Sequence, residues 1–476
     1  MNPGRRLSLI VACALFIENM DSTAIATSLP AIAADLGTEP IALKLALTAY
    51  LLSLAVFIPV SGWVADRFGA RSTFMAAIAV FLLGSLACAA SSSLDQLVAA
   101  RFLQGMGGAL MVPVGRLVLL RTVPKSELVQ ALSWLTIPAL VAPMIGPPLG
   151  GLISTYGDWR WIFLINLPMG LLGIVLARKY IPDLREAVPP LDWRGFALSG
   201  LGLGLALFGF STLGRHLVST SLAVACLVLG LVAMAGYVWH ARVHPHPLID
   251  LNLFRHHTFR AGVLGGALFR IGIGATPFLL PLMLQLGFGL TALQSGLITF
   301  ASAMGAIFMK TMASRVLRRF GFRRVLWVNA LLASAMLAGF GLFTAQTPHL
   351  LIMAVLVVSG CFRSLQFTSL NAISYAEVAS PKMGQASSLS GMAQQFSLAL
   401  GVAIGGYGLQ IAGELTGTAY TDAGNFGWAF LLVGLVSAAS AWVMFRLPAD
   451  AGQEMSGRAQ PGQEIAEPRA AQRPGT

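Results

Sequence analysis

The chain has 476 residues, of which 56% are hydrophobic and only 11% charged. Soluble chains carry about 25% charged residues, so a water-soluble globular domain is excluded and a membrane protein indicated. The net charge of +12 does not point to nucleic acid, because the Lys and Arg lie between apolar runs and not along one helix or patch.

Apolar windows of about 20 residues place spans near 7–29, 43–62, 73–91, 96–118, 129–153, 161–180, 194–213 and 219–240. Six more follow near 260–285, 293–313, 324–345, 349–371, 386–411 and 426–446. The runs are continuous, which excludes the alternating strands of a β-barrel. Only helices satisfy their own backbone in hydrocarbon, so the fold class is all-α, polytopic, with fourteen spans. Arg5, Arg6 and Ala31-Ile32-Ala33 imitate a secretory signal, but Glu18 and Asp21 would interrupt its apolar region, so the segment is the first span.

Lys and Arg concentrate on alternate loops, most densely at Lys310, Arg315, Arg318, Arg319, Arg323 and Arg324. The positive-inside rule then puts both termini in the cytoplasm. Arg67-Phe68-Gly69-Ala70-Arg71 after span 2 is echoed by Arg319-Phe320-Gly321-Phe322-Arg323 after span 10. The echo suggests a six-helix bundle over 1–180, two inserted helices with flanking cytoplasmic loops over 181–259, and a second six-helix bundle over 260–446. The segment 447–476, almost without apolar residues, reads as a disordered cytoplasmic tail.

Charge inside hydrocarbon costs at least ~2.5–3.5 kcal/mol and asks for a reason. The candidates are Glu18 and Asp21 in span 1, Arg101 and Arg116 in span 4, Arg270 in span 9 and Arg363 in span 12. Without the inserted pair, these are the first helices of four three-helix units, with no deep charge expected on the other ten. Such placement implies a shared polar cavity near the midplane. Arg116 and Arg363 are also placed to snorkel toward a helix end, and Arg101 to tie helices together as a buried ion pair. Glu18 and Asp21, three residues apart on one helix, suit proton carriage unless one pairs permanently with an arginine.

The four cysteines, Cys13, Cys88, Cys226 and Cys361, lie within apolar segments and read as small hydrophobes. No metal is expected. His244, His246, His256 and His257 share one loop, but no acidic or Cys partner completes a ligand set there. No phosphate-binding Gly-Lys-Ser/Thr loop occurs, so neither ATP nor another cofactor is expected. No nucleophile–base set appears at one depth, so an enzyme is not expected.

Several segments resemble the drug:proton antiporters of the major facilitator superfamily, in the branch with fourteen spans. Met20-Asp21-Ser22-Thr23 through Leu29-Pro30 is similar to that family's first-span signature, although Ala26 replaces its usual asparagine. Gly62-Trp63-Val64-Ala65-Asp66-Arg67-Phe68-Gly69-Ala70-Arg71 resembles the superfamily's loop between spans 2 and 3. The resemblance makes Gly62, Asp66, Arg67, Gly69 and Arg71 a cytoplasmic latch, formed in one cavity state and broken in the other. Ala70 departs from the pattern, as does Arg318 at the place of Asp66 in the second copy.

Arg101, Gln104 and Gly105, with Gly107 and Gly108, resemble the span-4 pattern, whose arginine is tied to proton transfer. Gly146, Pro147, Gly150 and Gly151 resemble the span-5 antiporter motif, where small residues allow tight packing and prolines bend the helix. Trp159–Asn166 and Pro247–Leu251 are marks of the branch. Val112–Arg116 and Arg270 are similar to its multidrug transporters of the MdtD type.

The resemblance implies secondary efflux in a bacterial inner membrane, with Asp21, Glu18 and Arg101 coupling protons and Arg270, Arg363, Arg116 and Gln104 lining a substrate cavity. The expected partners are a small-molecule substrate, protons and the lipid bilayer, with the protein a monomer. Four arginines against two acids leave an exporter of organic anions, such as small carboxylates, as the alternative.

Overall fold

The computed structural model describes residues 3–448, except 124, 187, 189, 213–218, 246 and 379–381, together with 451–452. Side chains are described except at 3–5, 120 and 125–140. Among the described residues there is no strand. Among the described residues, thirteen helices are long and apolar enough to cross a membrane. They are α1 (Arg6–Asp35), α2 (Pro40–Phe68), α3 (Ala70–Ala89), α4 (Leu94–Leu119), α6 (Trp161–Tyr180), α7 (Trp193–Thr212) and α8 (Thr220–Val243). The others are α9 (His257–Gly287), α10 (Ala292–Phe320), α11 (Phe322–Leu342), α12 (His349–Ile373), α13 (Met383–Thr416) and α14 (Ala423–Phe445). A further long helix, α5 (Lys125–Tyr156), stands where the fifth span is expected. Several helices outrun their apolar windows, because the first and last turns carry polar residues that cap the helix outside the hydrocarbon. Thr291 and Gln294 do this reciprocally at the start of α10.

Packing repeats along the chain. Helix α1 lies on α5 and α6, α2 on α4, and α3 on α4 and α6. In the same way α9 lies on α13 and α14, α10 on α12, and α11 on α12 and α14. The two sets meet through α5 against α10 and α2 against α13. Helices α7 and α8 pack on each other, and α7 also touches α2 and α13. One face of α8 is apolar and exposed, including Leu229, Val232 and Trp239, as a lipid-facing helix requires.

Two findings depart from the sequence expectations. Lys44, at the start of α2, is fully buried and packs beside Gly406 of α13. Buried charge is therefore not confined to those four helices; a lysine near a helix end reads as interfacial until the partner helix covers it. Leu447 and Ala451, read as tail, are buried in the cluster that includes Phe322 and Ile373. The rest of the expected tail, from 453 on, lies outside the described residues.

Candidate functional site

The first polar centre sits inside the α1–α6 set. Ser22 and Thr23 donate back to the Asn19 carbonyl at 3.0 and 2.8 Å, so these hydroxyls are satisfied within α1. Asp21 points inward and is 0% exposed. Its Oδ2 accepts from Arg101 Nη1 at 2.6 Å, and its Oδ1 from Gln104 Nε2 at 3.0 Å and Asn166 Nδ2 at 2.8 Å. Ser85 Oγ accepts from Gln104 Nε2 at 2.9 Å. The Arg101 guanidinium also lies 4.2 Å from the centre of the Tyr50 ring, a cation–π contact strengthened by desolvation. The paired alternative raised for these charges thus holds in this conformation. Gln104 belongs to this network, not to a cavity wall. Asn166, Ser85 and Tyr50 were missed; a carboxamide and a hydroxyl in mid-span were the available signals.

A cavity of about 2400 Å³ lies between the two helix sets. Its walls include Glu18, Arg116, Tyr375, Lys382 and Gln394, and it opens at the end that carries the α2–α3 loop. At the opposite end the sets are closed on each other: Leu293 N donates to Thr155 Oγ1 at 3.1 Å and Gln285 Nε2 to the Thr27 carbonyl at 2.9 Å. Glu18 lies on the cavity wall one helical turn from Asp21, and its buried Oε2 has no hydrogen-bond partner. Arg116 is exposed into the same space.

The loop residues form a contact different from the one expected. Asp66 Oδ1 accepts from Arg121 Nη1 at 2.6 Å, and Arg121 Nη2 reaches Glu186 at 3.2 Å. The loop is therefore tied to its own half in this state, not across the cavity as a formed latch would be. Gly69 has φ +96° and a neighbourhood, Asp183 and Arg185, that a Cβ would strike; its echo Gly321 has φ +77°. Only glycine adopts such angles freely. Gly62 faces open space, and Arg67 and Arg71 make no ion pair among the described residues.

The antiporter motif packs α5 against α1. A Cβ at Gly146 would strike Thr23, and one at Gly150 would strike the Ala24 carbonyl. Thr27 Oγ1 donates to the Pro147 carbonyl at 3.1 Å. Gly151 meets Ala292 of α10, so the motif reaches both its own set and the opposite one.

The remaining arginines separate. Arg270 is 0% exposed and sits behind the cavity wall. Its Nη2 donates to Asn371 Oδ1 at 3.2 Å and its guanidinium lies 5.6 Å from the Phe367 ring, both on the wall. Arg270 Nε and Nη1 have no hydrogen-bond partner among the described residues. Arg363 does not reach the central cavity; it lines a separate small space within the α9–α14 set, because α12 turns that face toward α9 and α10.

Outside the spans, Asp192 caps α7. It accepts from Gly195 N at 2.8 Å, His240 Nε2 at 2.8 Å and Leu248 N at 3.2 Å. Burial alone raises the Asp192 carboxyl, but these three donors outweigh it and hold the group below the ordinary carboxylate value. Asp192, His240 and His244 bring ligand atoms within 4.8 Å of one another. The acidic partner missing from the histidine loop thus comes from across the inserted pair, though its oxygens already serve the three donors. Of the loop's other histidines, His246 lies outside the described residues, and His257 Nδ1 sits 3.3 Å from Arg260 Nη2.

Comparison with known proteins places this geometry. The model of the Major Facilitator Superfamily matches residues 11–239 and 262–472. The chain is 36% identical over 450 residues to the "Putative multidrug resistance protein MdtD" of Yersinia enterocolitica, covering 93% of this chain and 95% of that protein. It is 38% identical over 447 residues to the protein of the same name from Cronobacter sakazakii, covering 93% and 94%. Among solved structures, the POT family transporter PepTSo matches with a TM-score of 0.71 at 13% identity, covering 96% of this chain and 98% of that one. A D-xylose-proton symporter matches at 0.66 and 14%, covering 93% and 98%; at such identities the likeness is one of fold.

Proposed function

The chain belongs to the Major Facilitator Superfamily, and from that premise we propose that it is a proton-coupled exporter of drug-like small molecules in a bacterial inner membrane. The carrying observation is the fully buried Asp21–Arg101 pair at 2.6 Å, one turn from Glu18 on the wall of the cavity. In this reading the open end faces the cytoplasm, both termini lie there, and the two six-helix sets rock about the cavity as a monomer within the lipid. A substrate enters from the cytoplasm while Asp21 is paired with Arg101 and accepts from Gln104 and Asn166. After the cavity turns outward, a proton arriving through Glu18 neutralises Asp21 and releases Arg101. Return to the inward state delivers the proton and re-forms the pair. Each charge moved across 100 mV contributes ~2.3 kcal/mol, so one or two protons suffice for steep export.

The Asp66–Arg121 contact is the latch in its released form: Asp66 is held within its own half while the cytoplasmic end is open. The Gly146–Gly151 segment holds the opposite end shut by close backbone approach. Adding substrate to detergent-solubilised protein equilibrated in mild acid, so that the proton-loaded state of the cycle is populated, tests this coupling with a pH dye. Proton release by the native chain and none by Asp21→Asn is expected; equal release from both would refute it.

Organic anions are the second reading, favoured by Arg270. Its two unpartnered nitrogens lie behind Phe367 and Asn371 of the wall, and α9–α14 contain no acid except Glu414 near the end of α13. A substrate carboxylate that displaces Phe367 would supply the missing acceptor.

A further inference from the structure

The two helix sets repeat in sequence register as well as in packing. The offset that lays Arg67 on Arg319 also lays Asp21 on Ile273, Tyr50 on Ser302, Phe81 on Ala333, Ser85 on Leu337 and Gln104 on Leu356. Arg101 falls on Met353. Five of these counterparts, all but Met353, line one small cavity enclosed by α9, α10, α11, α12 and α14. The cavity thus occupies, in the second set, the place that the Asp21 network fills in the first. There the Asp21 carboxylate and the Gln104 carboxamide meet; here Ile273, Leu356 and the small Ala333 leave about 30 Å³ empty.

Arg363, standing where the first set has Met111, turns into this space. It has no hydrogen-bond or ion-pair partner among the described residues. The nearby Thr276 and Ser437 hydroxyls donate to the Gly272 and Phe269 carbonyls at 3.0 and 3.3 Å. No carboxylate lines the cavity. Arg363 is half-buried, and a guanidinium drawn into a low-dielectric bundle without an acceptor is disfavoured. The volume is that of one water-sized occupant, too small for a drug.

We infer that this cavity is a binding site for a small inorganic monovalent anion of the halide class, held by Arg363 as the counter-ion that the second helix set lacks. The first set neutralises its buried arginine with its own Asp21; the second uses an ion from solution. Because one set then carries a protonatable acid and the other an exchangeable anion, ion occupancy sets the electrostatic balance of the second set independently of the proton. The site is separate from the transport cavity, so its existence does not depend on the transport reading.

The test uses the purified full-length chain, with chloride exchanged for gluconate at fixed ionic strength and pH. The readouts are chloride NMR line broadening and the melting temperature. Saturable broadening, competed by bromide, and a higher Tm in chloride are expected for the native chain. Arg363→Met removes the guanidinium, and Ala333→Phe fills the space that Ala333 lines; each should weaken the chloride midpoint at least tenfold. Should Arg363→Met fail to fold, Ala333→Phe decides alone. Arg270→Gln should retain the native response. Absence of saturable broadening in the native chain, its retention in either cavity variant, or its loss in Arg270→Gln would overturn the assignment.

Discussion

Glu18 and Arg270 occupy the same position in the two helix sets: the offset that superposes Arg67–Arg71 on Arg319–Arg323 places one on the other. Glu18 faces the cavity directly, while Arg270 sits just behind it against Phe367. In the proposed function the acid of the first set and the base of the second divide the work, protons on one wall and anionic groups on the other. Glu18→Gln is therefore expected to abolish substrate-induced proton release with little change in substrate Kd. Arg270→Gln should weaken organic-anion binding by about tenfold or more, the scale of one lost charge-assisted contact, and leave cationic dyes unaffected. Binding titrations with both ligand classes check the split.

Arg101→Ala strands the Asp21 carboxylate in the bundle. Loss of one partner from a buried pair costs about 3–5 kcal/mol, so a marked drop in Tm is expected. Asp21→Asn combined with Arg101→Gln removes both charges and should recover most of it. Thermal unfolding of the native chain and the two variants in detergent measures this.

Asp66→Asn should cost less than about 1 kcal/mol, because the Asp66–Arg121 pair is partly exposed. On the proposed latch reading its larger effect falls on the conformational equilibrium, because that reading makes Asp66 the acid that holds the cytoplasmic end closed. A cysteine introduced at Gln394, on the cavity wall, should label faster from the cytoplasmic side in Asp66→Asn than in the native background.

Gly150→Val drives a branched side chain into the Ala24 carbonyl and the Thr27 hydroxyl. Overpacking of this kind costs about 1–3 kcal/mol and should abolish transport. Gly204→Val, where nothing lies within 4 Å, is the control and should retain transport.

Asp192 stitches the inserted pair to the loop before α9. Its carboxyl lies below the ordinary value in the folded chain, so the stabilisation it provides is complete above the unfolded value of about 3.9. That stabilisation is lost as pH falls through the lower folded value. Asp192→Ala should cost about 1 kcal/mol at pH 7, the usual loss of an N-cap, and the difference from native should shrink in acid. Melting curves across pH 3 to 7 read it.

Much of this was legible in the sequence because the hydrocarbon core forbids ambiguity. The count of long helices, the buried acid at Asp21 and the glycines of α5 follow from burial cost and backbone satisfaction. What was not legible depends on which face a helix turns. Gln104 and Arg101 lie on the face of α4 that meets Asp21, whereas Arg116 lies on the face that meets the cavity, and no spacing along one helix separates those outcomes. Arg363 was expected in the central cavity for the same reason. Lys44 is buried by α13, a helix some 350 residues away in the chain, and Asp192 meets His240 only once α7 and α8 pair.

The central claim is that Asp21 exchanges a proton against the substrate. Proteoliposomes carrying the native chain or Asp21→Asn, loaded with substrate and given an imposed pH gradient, measure it directly. The native chain should accumulate substrate against its gradient, in the direction opposite to proton flow, while Asp21→Asn carries substrate only down its own gradient. Uphill transport that persists in Asp21→Asn, or native flux indifferent to the pH gradient, would contradict the account.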